Sequence, residues 1–197
     1  MSVYLSMAAF ALASSITPGP VNVVALSAGA RYGWRLTLRH VAGATVGFTA
    51  LLLLSGLGLH RLLAHWPWLA MAIRCAGVLF LLYMAVKLAR DEGRVSDDAT
   101  PRPPTFCQGA LMQWLNPKAW VACVAGMGAF VGNGDERLLW QFAAIYFLVC
   151  YASIASWAWA GTGLRRYVRE PARMRLFNRS MAMLLAVSAA YLLLERS

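Results

Sequence analysis

The sequence predicts an all-α membrane protein of six transmembrane helices arranged as two inverted repeats of three. Of its 197 residues, 60% are hydrophobic and 13% are charged. The mean hydropathy is +0.57, which is too apolar for an ordinary soluble domain. The basic residues lie in short clusters between apolar runs, as they do in the loops of inner-membrane proteins. The net charge of +10 is therefore read as loop charge, and nucleic acid is excluded as a partner.

Six apolar runs are each long enough to cross the hydrocarbon, which needs roughly 20 apolar residues. In chain order we expect spans at about Tyr4–Ala30, Val41–Leu63, Trp66–Val86, Phe106–Val131, Leu138–Gly163 and Leu176–Leu194. The chain forms one transmembrane domain: a first repeat at about 1–90, a cytoplasmic linker at about 91–105 and a second repeat at about 106–197. The partner common to all six spans is membrane lipid.

The first span is broken in its middle by Pro18, Gly19 and Pro20. The fourth span is broken in the same way, at Asn116 to Lys118. Proline lacks a donor and clashes with the preceding turn, so each break frees backbone groups. In lipid, freed groups are tolerated only where protein or a watery cavity receives them. The breaks are therefore the predicted binding site.

The two halves of the chain align when the sequence is shifted by ninety-nine positions, which places Pro18 on Pro117. The same shift matches Gly29 with Gly128 and Ala30 with Ala129. Two three-span units in series must have opposite orientations in the membrane. Inverted repeats with interrupted helices at corresponding positions are the recurring plan of secondary transporters.

The arginines and lysines predict the orientation. Thirteen lie in the loops after spans 1, 3 and 5, against three in the alternate loops and the C-terminal tail. The positive-inside rule then places both termini outside the cytoplasm.

The breaks would suit a small zwitterion. The half-helices after Pro20 and Pro117 present electropositive N-termini to a carboxylate, and the freed carbonyls could receive an ammonium group. The alternative is that the prolines only kink a packed bundle. The candidate substrate-binding residues share these two breaks: Thr17, Pro18, Gly19, Pro20, Asn22, Gln113, Asn116, Pro117 and Lys118.

Three ionisable residues need separate consideration. Lys118, deep in its span, is costly unless it faces protein or water; it either contacts substrate, forms a gating ion pair or bonds freed carbonyls. His40 is either a proton carrier or an interfacial histidine at the start of span 2. Arg74 has a gating role or reaches the outer headgroups. All eight acidic residues lie outside the spans, so the coupling ion is left open.

Other features have simpler interpretations. Gly43 and Gly47 form a GxxxG pair that allows close helix approach. The four cysteines form no CxxC motif, and we read them as packing residues with no metal site and no cofactor. Five tryptophans lie near predicted span ends or along the spans, and most of them read as interfacial anchors, with a role in an aromatic cage as the alternative: Trp66, Trp68, Trp140, Trp157 and Trp159.

The motifs resemble the LysE/RhtB superfamily of amino-acid exporters. The first is Thr17-Pro-Gly-Pro-Val-Asn22 with Gly29, Gly33 and Arg35, followed by His40-Val-Ala-Gly43 and Gly47-Phe48. The second is Asn116-Pro-Lys-Ala-Trp120, and the stretch Arg74, Gly77 and Tyr83 resembles the family's third helix. The stretches Ala25-Leu26-Ser27 and Ala42-Gly43 are most similar to the cysteine and O-acetylserine exporter branch.

The resemblance implies an inner-membrane secondary transporter that exports amino acids or small derivatives by alternating access. Its departures from the family pattern are Val21 in place of a second Asn, Ala85 in place of a common Gly, and no Pro near Gly128. The alternatives are a membrane-embedded structural or interaction protein and a transporter of a different small metabolite. No nucleophile–base pair lies inside a span, so we expect no enzyme. The oligomeric state is open, a homodimer included.

Overall fold

A computed structural model describes residues 2–59, 65–90, 103–131, 135–164 and 170–194. Within these ranges the chain forms eight α-helices and one short π-helical segment, with no strand. The helices are α1 (Val3–Ile16), α2 (Pro20–Tyr32), α3 (Trp34–Leu54), α4 (Pro67–Ala89), α5 (Phe106–Trp114), α6 (Pro117–Phe130), α7 (Glu136–Leu164) and α8 (Pro171–Leu194). The all-α prediction is confirmed.

Both predicted breaks are present. The first expected span is the helix pair α1 and α2, which are bent by 63° across the break. The fourth is the pair α5 and α6, separated at Leu115 and Asn116. Pro20 and Pro117 each begin the second helix of their pair, where a missing N–H costs nothing.

The second and sixth spans begin earlier than expected. Helix α3 starts at Trp34 rather than near Val41, because Gly33 joins it directly to α2 with a φ of 84° that favours glycine. Its π-helical end, Ser55–Leu59, contains Gly58 at φ 107°. Helix α8 starts at Pro171 rather than near Leu176, again with proline at a helix start. Most of the expected linker, residues 91–102, lies outside the described residues.

Two stretches are long and apolar enough to span a membrane alone, Trp34–Gly58 and Glu136–Leu164. The bent pair α1 and α2 qualifies as a third. Among the described residues this supports a multi-pass membrane protein, while the full set of six spans stays a prediction.

The helices pack through small residues around a central α7. Helix α7 contacts α1, α2 and α3, while α3 packs on α5 and α4 packs on α8. At the α3–α5 contact, Gly43 lies against the backbone of Phe106 and Gly47 against that of Ala110. At the α2–α7 contact, Gly29 lies against the backbone of Ala158. The reading of Gly43 and Gly47 as a close-approach pair is confirmed.

Candidate functional site

The first break leaves the carbonyls at the end of α1 without helical partners. Asn22, on the first turn of α2, donates from Nδ2 to the carbonyls of Ser15 and Thr17, both at 2.9 Å. Trp157 on α7 donates from Nε1 to the carbonyl of Ile16 at 3.0 Å. The freed acceptors of this break are thus met by side chains from two other helices, as freed backbone groups within a membrane span require.

Helix α2 itself begins without a side-chain cap. Its N-cap residue is Gly19, which has no side chain to accept from the first amides. Gly19 has an extended backbone (φ −164°, ψ 171°), so its conformation alone does not demand glycine. An uncapped helix N-terminus keeps free donors and the positive end of the helix dipole. The start of α2 can therefore receive an anion.

The second break is capped by its own residue. Asn116 accepts at Oδ1 from the backbone N–H of Lys118 at 3.1 Å and donates from Nδ2 to Gln113 Oε1 at 3.4 Å. Trp120 Nε1 donates to the carbonyl of Trp114 at 2.7 Å. The expectation that both half-helices offer free positive ends needs correction here. The N-terminus of α6 is occupied by the amide oxygen that the sequence places there.

The two breaks meet through Lys118. Its Nζ donates to the carbonyl and to the hydroxyl oxygen of Thr17, both at 2.7 Å, and to the carbonyl of Pro18 at 3.3 Å. Of the roles left open for Lys118, bonding freed carbonyls is the one this arrangement displays. It places a positive charge from the second break on the first break.

A small cavity of about 30 Å³ lies between the breaks. Pockets that hold small-molecule ligands typically measure about 300–1,000 Å³, so this cavity is small for an amino acid in this conformation. The lining residues from the breaks are Ser15, Gly19, Asn22, Gln113, Asn116 and Lys118, among others. The site is therefore narrow here, and binding an amino acid requires its walls to separate.

Two aromatic side chains, Phe48 and Tyr146, line this cavity. Tyr146 of α7 stacks on Phe48 of α3 with ring centroids 4.2 Å apart. Its hydroxyl lies 2.7 Å from Ser14 Oγ. The nearby Ser15 hydroxyl is buried and has no hydrogen-bond partner among the described residues. One unsatisfied polar group thus lines a space that could take a ligand.

The structure describes the side chain of one predicted gating residue, His40, but not that of Arg74. His40 lies six residues into α3 and is 0% exposed, with no hydrogen-bond partner at either ring nitrogen among the described residues. The ring therefore lies inside the bundle, because α3 begins earlier than expected, and both roles of His40, proton carrier and interfacial histidine, stay predictions. Arg74 lies in α4, and its side chain is outside the described residues.

Sequence reasoning missed the contributions of α7. The sequence offers Trp157 only as one of five tryptophans, most of them read as interfacial anchors, yet it bonds the first break, and no pattern points to Tyr146. Both lie in a long uncharged helix whose sequence carries no break or charge to mark them. A buried tyrosine and tryptophan usually find a hydrogen-bond partner, and that rule is the signal that could have identified them.

The chain was compared with known proteins. The family model described as LysE type translocator matches residues 12–196. The cysteine/O-acetylserine efflux protein of Salmonella typhimurium is 28% identical over 184 residues, which cover 92% of this chain and 91% of that protein. The protein of the same description from Escherichia coli K12 is 27% identical over 182 residues, 91% of this chain and 92% of that one. No solved structure matches the chain significantly.

Proposed function

Because the chain belongs to the LysE type translocator family, we propose that it exports small amino acids or their derivatives across the inner membrane. Proteins of this family are transporters, so the chain is not an enzyme. The relatives named above are described as efflux proteins for cysteine and O-acetylserine. On that basis we propose these two compounds, or amino acids of similar size, as the cargo.

The observation that carries the proposal is the Lys118 bridge between the two breaks. Its ammonium group lies on the carbonyls of Thr17 and Pro18, beside the uncapped start of α2 at Gly19. A bound amino acid would present an ammonium group to the same carbonyls and a carboxylate to the α2 N-terminus. We propose that cargo displaces the Lys118 ammonium from the carbonyls, and that the Lys118 ammonium then pairs with the cargo carboxylate.

The displaced charge does not have to leave the site. A lysine side chain has a flexible four-carbon stem, and Nζ lies 3.5 Å from the position that a Cβ on Gly19 would take. The charge therefore moves only from one side of the first break toward the other. With no cargo bound, Lys118 returns to the carbonyls and keeps them satisfied. This exchange would avoid the cost of freed acceptors within the membrane.

The proposed architecture is six spans in two inverted repeats, with both termini outside the cytoplasm. Helix packing supports the repeats: α1 of the first pair packs on α7, and α5 of the second pair packs on α3. Exchanging the two halves turns one contact into the other. The narrow cavity supports alternating access, because its walls must separate for an amino acid to pass.

The experiment is efflux from liposomes that contain the purified protein and are loaded with labelled O-acetylserine or cysteine. We expect the wild-type protein to release both compounds faster than protein-free liposomes. We expect Lys118→Met, which keeps the stem and removes the ammonium, to lower this release by about tenfold or more, because it loses charge-assisted hydrogen bonds of roughly 2 kcal/mol.

The matched control is Val121→Met, one turn further along α6 at a side chain that is 61% exposed. It should retain wild-type release. Release at the wild-type rate by the Lys118→Met variant would contradict the proposed role of the Lys118 bridge between the two breaks. If the wild-type protein releases neither of these compounds and no other amino acid in a panel, the exporter assignment itself is contradicted.

A further inference from the structure

The cavity between the breaks has a second side, which the breaks do not form. Part of its wall there comes from the end of α1, from α3 and from α7, through Ser15, Phe48, Tyr146, Cys150 and Ile154. We refer to these five residues as the side-chain pocket. The four from α3 and α7 are each at most 3% exposed, so the pocket lies inside the bundle.

The side-chain pocket carries no charge. Lys118 is the one charged residue in the described lining of the cavity, and its ammonium group lies on the carbonyls of Thr17 and Pro18 at the first break. A charged side chain placed in the pocket would lose its water without gaining a partner of opposite sign, which is costly in a buried site. The pocket therefore favours uncharged side chains.

The pocket nevertheless offers hydrogen bonds. Ser14 Oγ donates its one hydrogen to the carbonyl of Phe10 at 2.6 Å, so the Tyr146 hydroxyl is the donor in its 2.7 Å contact with Ser14. Towards a ligand the Tyr146 oxygen can therefore only accept. The Ser15 hydroxyl is buried and lies near the Cys150 thiol, which is a weak hydrogen-bonding group. This hydroxyl can both donate to a ligand and accept from it.

Apolar side chains limit the length of what the pocket can hold. The Phe48 ring stacks on Tyr146 with centroids 4.2 Å apart, which fixes one wall. Ile154 lies one turn beyond Cys150 on α7 and is 2% exposed. A branched side chain packed this tightly gives little space without strain. The pocket therefore favours short side chains.

Resting on the proposed function, we propose that this pocket selects the cargo by its side chain and takes a short, uncharged side chain that forms hydrogen bonds. The breaks hold the ammonium and carboxylate groups, which all amino acids share, so they do not distinguish one amino acid from another. The remaining substituent of the cargo Cα is left to the pocket. A hydroxyl or thiol donates to the Tyr146 oxygen, and Ser15 donates to an acceptor such as the ester of O-acetylserine. Ser15, Tyr146 and Ile154 are thus specificity-determining residues.

Pairs of amino acids with the same shape test polarity and charge separately. Serine and 2-aminobutyrate differ by a hydroxyl in place of a methyl group, and asparagine and aspartate differ by a charge. Binding is measured in detergent as the concentration of each amino acid that raises Tm half-maximally. We expect serine to be favoured about tenfold over 2-aminobutyrate, which corresponds to one hydrogen bond. Asparagine should be favoured over aspartate by more than about tenfold. Equal binding within either pair would overturn the proposal.

Ser15→Ala and Ser156→Ala are the matched variants for the hydrogen bond. Ser156 Oγ donates within α7 to the carbonyl of Ser153 at 2.7 Å, and Ser156 is absent from the described lining of the cavity. We expect Ser15→Ala to reduce the preference for serine to about threefold, since Tyr146 can still accept, and Ser156→Ala to retain it. A loss of stability alone would weaken both ligands alike, so the ratio reports contact with the side chain. An unchanged ratio in Ser15→Ala would overturn the role of Ser15.

Ile154→Val and Ile145→Val are the matched variants for length. Both residues lie on α7, but Ile145 is absent from the described lining of the cavity. We expect Ile154→Val to improve the binding of norvaline relative to alanine by about fourfold, the value of one buried methylene group. Ile145→Val should leave this ratio unchanged. Equal ratios in the two variants would overturn the role of Ile154.

Release from liposomes separates the pocket from the proposed function. We expect release of the same amino acids by the wild-type protein to follow their binding preferences. Preferences in binding that Ser15→Ala reduces, in a protein that releases no amino acid, would support the pocket and contradict the exporter assignment. Release of O-acetylserine or cysteine with no preference within either pair would contradict the pocket and leave the exporter assignment standing.

Discussion

Helices α2 and α6 begin at prolines that occupy equivalent positions in the two halves, yet their surroundings differ. Every residue of α2 from Pro20 to Ala30 is buried, and α7 and α3 are among the helices that cover it. Helix α6 has Val121 61% exposed and Val124 57% exposed. Helices that begin at equivalent breaks therefore differ in how deeply they are buried. We expect α2 to be the fixed wall of the site and α6 to be the half that moves.

The N-termini of α2 and α6 also differ, in whether a side chain caps them. Gly19 leaves the start of α2 without a side-chain cap, whereas Asn116 caps the start of α6. The shift of ninety-nine positions also places Gly19 on Lys118. The first half therefore supplies a helix N-terminus without a side-chain cap, at the start of α2. The second half supplies the Lys118 ammonium, which reaches the first break. A symmetric pair of such ends would place two like charges together, which is unfavourable.

The largest effect is expected from the aligned glycines Gly29 and Gly128. A Cβ on Gly29 would overlap the backbone carbonyl of Ala158 on α7, while a Cβ on Gly128 meets no atom within 4 Å among the described residues. Backbone cannot move aside as a side chain can, so we expect Gly29→Ala to cost about 3 kcal/mol. Gly128→Ala should change stability by less than about 1 kcal/mol. Thermal unfolding in detergent is the measurement.

For a chain of this size, 1 kcal/mol corresponds to a shift of about 2–4 °C in Tm. The pair of variants should thus differ by several degrees or more. Equal Tm values would mean that α2 is no more tightly held than α6, which would remove the basis for treating them differently.

A smaller effect is expected from the two asparagines at the breaks. Asn22→Ala removes a donor from the carbonyls of Ser15 and Thr17. Lys118 still donates to Thr17, but the Ser15 carbonyl loses this bond, and we expect a loss of about 2 kcal/mol. Asn116→Ala removes one N-cap contact, with an expected loss of about 1 kcal/mol. Chemical unfolding in mixed micelles compares the two.

The cargo affinities of Asn22→Ala and Asn116→Ala in transport assays compare the two breaks more directly. Asn116→Ala frees the amide of Lys118 at the start of α6, so the affinity for a carboxylate should be kept or increased. An equal loss of cargo affinity in both variants would show that the two breaks bind cargo alike and would contradict the asymmetric site.

The positions of the breaks could be predicted from sequence because proline acts locally. Pro18, Pro20 and Pro117 remove backbone donors wherever the chain goes, and the structure has both breaks where the prolines predict them. The close contacts of Gly43 and Gly47 followed from a local spacing for the same reason. Helix starts were less certain, since Gly33 connects α2 to α3 without a loop.

The partners of the freed groups could not be predicted, because they come from distant parts of the chain. The bond from Lys118 to Thr17 joins residues 101 positions apart, and that from Trp157 to Ile16 joins residues 141 apart. Such contacts depend on how the helices pack, which local pattern does not encode. The burial of His40 depends on the same packing, and its proposed role as a proton carrier stays a prediction.

The account depends most on cargo lying between the two breaks, and protection of a thiol at Gly19→Cys tests this directly. Gly19 lines the cavity between the breaks, and a Cβ there would lie 3.4 Å from Lys118 Cδ, an ordinary contact. In a chain with Cys75 and Cys107 changed to Ser, we expect O-acetylserine to slow alkylation by N-ethylmaleimide. The half-maximal concentration should equal that for transport, and Val121→Cys should show no protection. Equal alkylation of Gly19→Cys with and without O-acetylserine, in a variant that still transports it, would contradict the account.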